Sequence, residues 1–71
     1  MYKKKVKVIL KNIKKRRLEL GYTQDYMAHK LGIKQNVYSK IELNNIKLTA
    51  CRFLVICELL EIEVTKIIKG K

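Results

Sequence analysis

The chain has no proline and no tryptophan, and only three glycines, two cysteines and one histidine among 71 residues. Without proline there is no rigid breaker, so side-chain caps and glycine must set the helix ends. One histidine and two cysteines without a C-x-x-C spacing make no metal-ligand set. Cys51 and Cys57 stand six residues apart in what reads as one helix. About 600° of rotation leaves them roughly 120° apart around the axis, so they do not bridge. The expectation is two reduced cysteines used as small apolar packers in a cytoplasmic protein. The longest apolar run is Phe53–Cys57, far short of the about 18 residues a membrane helix needs. The lysine-rich start has no apolar core or small-residue cleavage site, which argues against a secretory signal. No nucleophile–base pair and no glycine-rich phosphate loop is present, so neither catalysis nor a cofactor is expected. Tyr2, Tyr22, Tyr26 and Tyr38 are scattered and form no stacking platform for single-stranded nucleic acid.

Acidic residues are scarce too, six against 17 Lys and Arg, for a net charge of +11. The imbalance is confined to the front. Residues 1–47 carry 13 basic and three acidic residues (+10), and residues 48–71 carry four and three (+1). A basic portion suited to nucleic acid is thus followed by a near-neutral, more apolar portion suited to packing or association.

The length allows one small domain. Residues 1–8 are expected to be a basic N-terminal arm, either a short strand or flexible, because two alternating valines do not decide. Residues 9–71 read as an all-α, compact bundle of five short helices. Helix one carries Ile9, Ile13, Arg17 and Leu20 at helical spacing and stops at Gly21. Thr23 reads as the cap of helix two, with Tyr22 and Met27 at staple spacing and Asp25 in the first turn. Met27, Ala28 and Leu31 face inward and Gly32 ends the helix. Helix three covers about 34–42 and is followed by the turn signal Asn44-Asn45. Thr49 caps helix four, whose inward face is read as Phe53, Cys57 and Leu60. A fifth helix runs over about Val64 to Lys69, with Gly70 as its stop.

The informative segment is Thr23 to Glu42, T-Q-D-Y-M-A-H-K-L-G-I-K-Q-N-V-Y-S-K-I-E. Two short amphipathic helices flank Leu31-Gly32-Ile33, and small Ala28 lets them approach closely. This is a helix-turn-helix, and its second helix has the size to enter a DNA major groove about 12 Å wide.

These residues resemble the Cro and lambda-repressor-like helix-turn-helix family. The likeness runs from about Ile13 to Ile68. It rests on Arg17 before Leu-x-Leu-Gly, Thr23-Gln24, Met27-Ala28, Leu31-Gly32-Ile33, Ser39 to Glu42, and Leu60-x-Ile62. The resemblance implies that Gln24, beside the Thr23 cap, contacts a phosphate from the start of helix two. It implies base reading by Lys34, Gln35, Asn36 and Lys40, with Ser39 on the same helix, and backbone contacts by Asn44, Asn45 and Lys47. It also implies that Arg17 and Glu42 pair, and a charge on the apolar stripe of helix one needs such a partner on physical grounds. The sequence departs from the family at Lys34, where Ser or Thr is usual, at Leu43-Asn44, at Leu48 for a frequent proline, and at Glu61 for a frequent glycine. Tyr38 stands where a smaller aliphatic residue is usual.

The function expected is a sequence-specific, double-stranded DNA-binding transcriptional regulator, repressor-like and homodimeric. Val55, Ile56, Leu59 and Ile68 are the expected dimer contacts, since they exceed what the core face of helix four needs. The alternative is an antitoxin or adaptor module with a toxin enzyme as partner, which also binds its own operator.

Overall fold

The computed structural model describes the backbone of residues 2–68 and the side chains of residues 5–66. Five helices follow one another: α1 (Tyr2–Glu19), α2 (Gln24–Leu31), α3 (Gln35–Glu42), α4 (Ala50–Leu59) and α5 (Val64–Ile68). Among the described residues the fold is all-α.

The first helix begins at Tyr2, which corrects the strand or flexible arm expected over residues 1–8. The reason lies on its inward face. Val6, Leu10, Ile13 and Arg17 recur at i, i+4, i+7 and i+11, and Val6 packs against the core that Leu10 and Ile13 fill. Lysine is a good helix former and no glycine intervenes, so two more turns cost little and bury one more apolar side chain. Met1 and Lys69–Lys71, which include the expected stop at Gly70, lie outside the described residues.

The first four helices end alike. A left-handed residue follows each, and the next N–H bonds back to the carbonyl five residues earlier: Tyr22 to Arg17, Ile33 to Ala28, Asn45 to Lys40 and Ile62 to Cys57, at 2.8–3.0 Å. Glycine fills the left-handed position at residues 21 and 32, but Asn44 (φ 61°) and Glu61 (φ 56°) fill the other two. Asparagine tolerates that region, whereas glutamate is strained there. The starts differ more. Thr23 and Thr49 accept the N–H of Tyr26 and Arg52 through their hydroxyls, and Lys34 at the start of α3 makes no side-chain cap bond.

The core is built from Leu10 and Ile13 of α1, Met27 and Ala28 of α2, Tyr38 and Ile41 of α3, and Ile56, Cys57 and Leu60 of the α4 region. Ile56, expected as a dimer contact, is fully buried and is corrected to a core residue. It lies three residues after Phe53 and four before Leu60, so it shares their stripe. Phe53 is only half-buried at its edge. Leu59 is half-buried against the core, Val55 is 42% exposed, and neighbouring Leu54 is 56% exposed. The side chain of Ile68 lies outside the described residues. No described helix is long and apolar enough to cross a membrane.

Candidate nucleic-acid interface

The α2–α3 unit is set by its turn. Gly32 (φ 71°, ψ 30°) has open space where a Cβ would stand, so backbone conformation rather than crowding calls for glycine. Ala28 is 1% exposed beneath the turn, where a larger side chain would separate the helices. Helix α3 then turns Tyr38 and Ile41 into the core and leaves Gln35, Asn36 and Lys40 exposed, with Ser39 half-buried. Gln24, Gln35, Asn36, Ser39, Lys40, Leu43 and Asn45 ring a single shallow depression. Every polar member of that ring offers hydrogen-bond donors, and Lys40 adds charge.

The depression is backed by a network centred on Glu42. Arg17 Nε donates to Glu42 Oε2 at 2.8 Å and Nη2 donates to Oε1 at 3.3 Å, a two-pronged ion pair. Arg17 Nη1 donates to the Tyr22 carbonyl at 2.8 Å, which ties the α1–α2 turn to the same group. Tyr38 Oη donates to Glu42 Oε2 at 2.6 Å, and Gln24 Nε2 donates to Oε1 at 3.2 Å. The Arg17 and Glu42 side chains are only 7% and 3% exposed. Burial, and then the neighbouring carboxylate that accepts its hydroxyl, push the Tyr38 phenol far above its ordinary range. One carboxylate therefore fixes α1, the start of α2 and the inward face of α3 together.

The other residues singled out in the sequence fall into three places. Thr23 is committed to capping α2, its Oγ1 accepting the Tyr26 N–H at 3.0 Å. Lys34 is exposed at the start of α3. Asn44 and Lys47 lie outside the ring and instead edge an apolar groove with Val6, Ile9, Leu48 and Phe53. Two features escaped the sequence. Leu43 is 66% exposed inside an otherwise polar ring, a site for an apolar contact such as a methyl group. Arg16, in the basic run Lys14-Lys15-Arg16-Arg17, donates through Nε to the Leu60 carbonyl at 3.0 Å and closes the end of α4. Among the described residues no three potential metal ligands cluster.

A protein-family model described as a helix-turn-helix domain matches residues 10–71. The chain belongs to that helix-turn-helix domain family. No curated protein and no solved structure matches it. Membership in the helix-turn-helix family points to a DNA-binding regulator. In this helix-turn-helix domain α2 and α3 are the two helices of the motif, and the ringed depression lies on the outer surface of the second, bordered by Gln24 of the first and by Leu43 and Asn45 beyond α3.

Proposed function

We propose that the protein is a sequence-specific, double-stranded DNA-binding transcriptional regulator of the Cro and lambda-repressor-like type. It acts in the cytoplasm as a homodimer and represses by occupying promoter DNA. The observation that carries this reading is the outward face of α3, where Gln35, Asn36, Ser39 and Lys40 converge with Gln24 and Asn45 around one depression. Gln35 and Asn36 match the paired donor and acceptor edge of adenine, and Lys34 and Lys40 reach guanine acceptors. Gln24 sits where the first N–H groups of α2 have no partner inside the helix, a setting that suits a phosphate. With its side-chain amide held by Glu42, Gln24 offers the phosphate a fixed position. Asn44, Asn45 and Lys47 contact the backbone beyond the end of α3.

One α3 reads only a few base pairs, and two half-sites about one helical turn apart supply the missing specificity. Val55 and Leu54 of α4 give the pairing surface its exposed apolar side chains, joined by the half-buried Leu59. The same exposed pair supports the second reading, an antitoxin whose α4 seats a toxin enzyme. Mass measurement of the purified and co-purified complexes separates them, because a homodimer on DNA contains this chain alone.

Selection of bound sequences from random duplex DNA tests the proposal. An inverted repeat with half-sites one turn apart is expected, and absence of any enriched sequence overturns it. On the selected site, Gln35→Ala loses about 1–3 kcal/mol that it does not lose on random DNA, whereas Gln24→Ala weakens both alike.

A further inference from the structure

We infer that the Lys7, Lys11 and Lys14 face of α1 is a second phosphate-binding surface, gripping the DNA strand that runs past the C-terminal end of α3. This rests on the proposed DNA-binding reading and extends it to residues outside the helix-turn-helix unit. The three lysines follow i, i+4, i+7 spacing, within about 60° of one another around the helix. All three are exposed. With Leu10, Glu42, Leu43 and Asn44 they line a groove between α1 and the end of α3. That groove joins the depression on α3: Leu43 borders both, and the successive residues Asn44 and Asn45 border one each.

The charge of the groove is unopposed. Its one acid is Glu42, whose two oxygens already accept from Arg17, Gln24 and Tyr38 and whose side chain is 3% exposed. The ion pairs among the described residues are Arg16 with Glu19 and Arg17 with Glu42, so none of the three lysines has an acidic partner there. Like charges one turn apart repel, and an isolated helix gains nothing from them. A polyanion removes that repulsion. Seven residues of helix rise about 10 Å, and the three lysine charges along that length neutralise at most three phosphates.

The test compares variants of the full chain, each checked for unchanged helicity, on the selected duplex and on random duplex over a range of salt. Each phosphate neutralised contributes about 0.9 to the slope of log affinity against log salt. Lys7→Gln/Lys11→Gln/Lys14→Gln is expected to make that slope shallower by about 2–3 on both duplexes, with the ratio between them unchanged. The matching triple change to arginine keeps the slope. A control of equal charge, Lys15→Gln/Lys30→Gln/Lys66→Gln, removes exposed lysines outside the groove and shifts the slope by less than about 1. Coincident slopes for the groove variant and the control overturn the α1 surface, including the case in which an acidic protein segment is its true occupant. Loss of the inference alone leaves wild-type affinity and sequence preference intact, whereas a wild-type protein with no duplex affinity takes the reading of α3 down with it.

Discussion

Helix α3 and helix α4 are held in the bundle by opposite means. The inward face of α3 ends in Glu42, which takes four hydrogen bonds from Arg17, Gln24 and Tyr38. Helix α4 presents Ile56 and Cys57 to the core, with Leu60 at its end, and Arg16 adds one bond to the Leu60 carbonyl. Apolar burial stabilises without fixing direction, while a two-pronged arginine–carboxylate pair fixes both distance and angle. The helix proposed to enter DNA at a defined angle has the directional junction, and the helix with an exposed apolar pair has the non-directional one.

The widest gap between the junctions should appear when one member of the charged pair is removed. Arg17→Ala or Glu42→Ala strands a buried charge and is expected to cost about 3–5 kcal/mol in urea unfolding. The double variant is expected to cost less than the sum, with a coupling above about 0.5 kcal/mol. Additive losses would show that the pair contributes no more than two independent contacts, and the contrast with α4 would vanish.

The pair also marks how far the sequence could be read. Arg17 was visible as a charge on an apolar stripe, and its partner followed from resemblance. The caps Thr23 and Thr49 and the left-handed Gly21, Gly32 and Asn44 were visible because each is a local event of a few residues. What stayed hidden depends on neighbours distant in sequence. Val6 and Val8 look like strand alternation until Leu10, Ile13 and Arg17 show that Val6 alone continues their stripe. In the run Phe53–Cys57 every position is apolar, so the run itself does not say which face is inward, and Ile56 lies on the core side against expectation. The meeting of Gln24 with Glu42 joins two helices whose proximity is created by the Gly32 turn, at the carboxylate that Tyr38 reaches from one helical turn earlier. Among the proposed DNA contacts, residue type was legible in the sequence, and the fold adds which of them share one surface.

The next largest effect concerns Tyr38. Its phenol is held protonated by burial and by the adjacent carboxylate, so its folded-state pKa lies above the unfolded value near 10. The folded state keeps a proton that the unfolded chain releases. Stability from this group is level through neutral pH and falls as pH rises past about 10, by up to about 1.4 kcal/mol per pH unit. Tyr38→Phe is expected to cost about 1.5–3 kcal/mol at pH 7, the loss of a hydrogen bond to a charged acceptor. It also removes that part of the alkaline decline. Unfolding curves at pH 7 and pH 11 for both proteins measure the difference, and parallel declines would show that the hydroxyl does not sense Glu42.

On the apolar side a small change should stay small. Ile56→Val deletes one methylene from a fully buried side chain and is expected to cost about 0.5–1.5 kcal/mol. The equally modest Glu42→Gln, which preserves size, should cost more, because it leaves Arg17 buried without a counter-charge. If the two losses were equal, directionality would not distinguish the junctions. Burial also raises the Cys57 thiol, while Cys51 is exposed, so a thiol reagent is expected to label Cys51 first.

The smallest expected effect is the one that sets stability against function within α3 itself. Helices α2 and α4 start with a threonine hydroxyl accepting a backbone N–H, while α3 starts with Lys34, which accepts nothing and places a cation against the positive end of the helix. Lys34→Ser supplies the missing acceptor and removes the charge, and is expected to stabilise the domain by about 0.5–1 kcal/mol, raising the melting temperature by roughly 4 °C. The lysine is exposed, so its removal opens no cavity. If Lys34 is kept for a guanine edge or a phosphate, the stabilised variant must bind the selected duplex more weakly, with a salt slope shallower by up to about 0.9 in the phosphate case. Gain in melting temperature with loss of affinity is the expected pair of results, the pattern of a position where stability is given up for contact with a partner. A variant that melts higher and binds unchanged would remove Lys34 from the interface and leave the uncapped start of α3 without a functional reason.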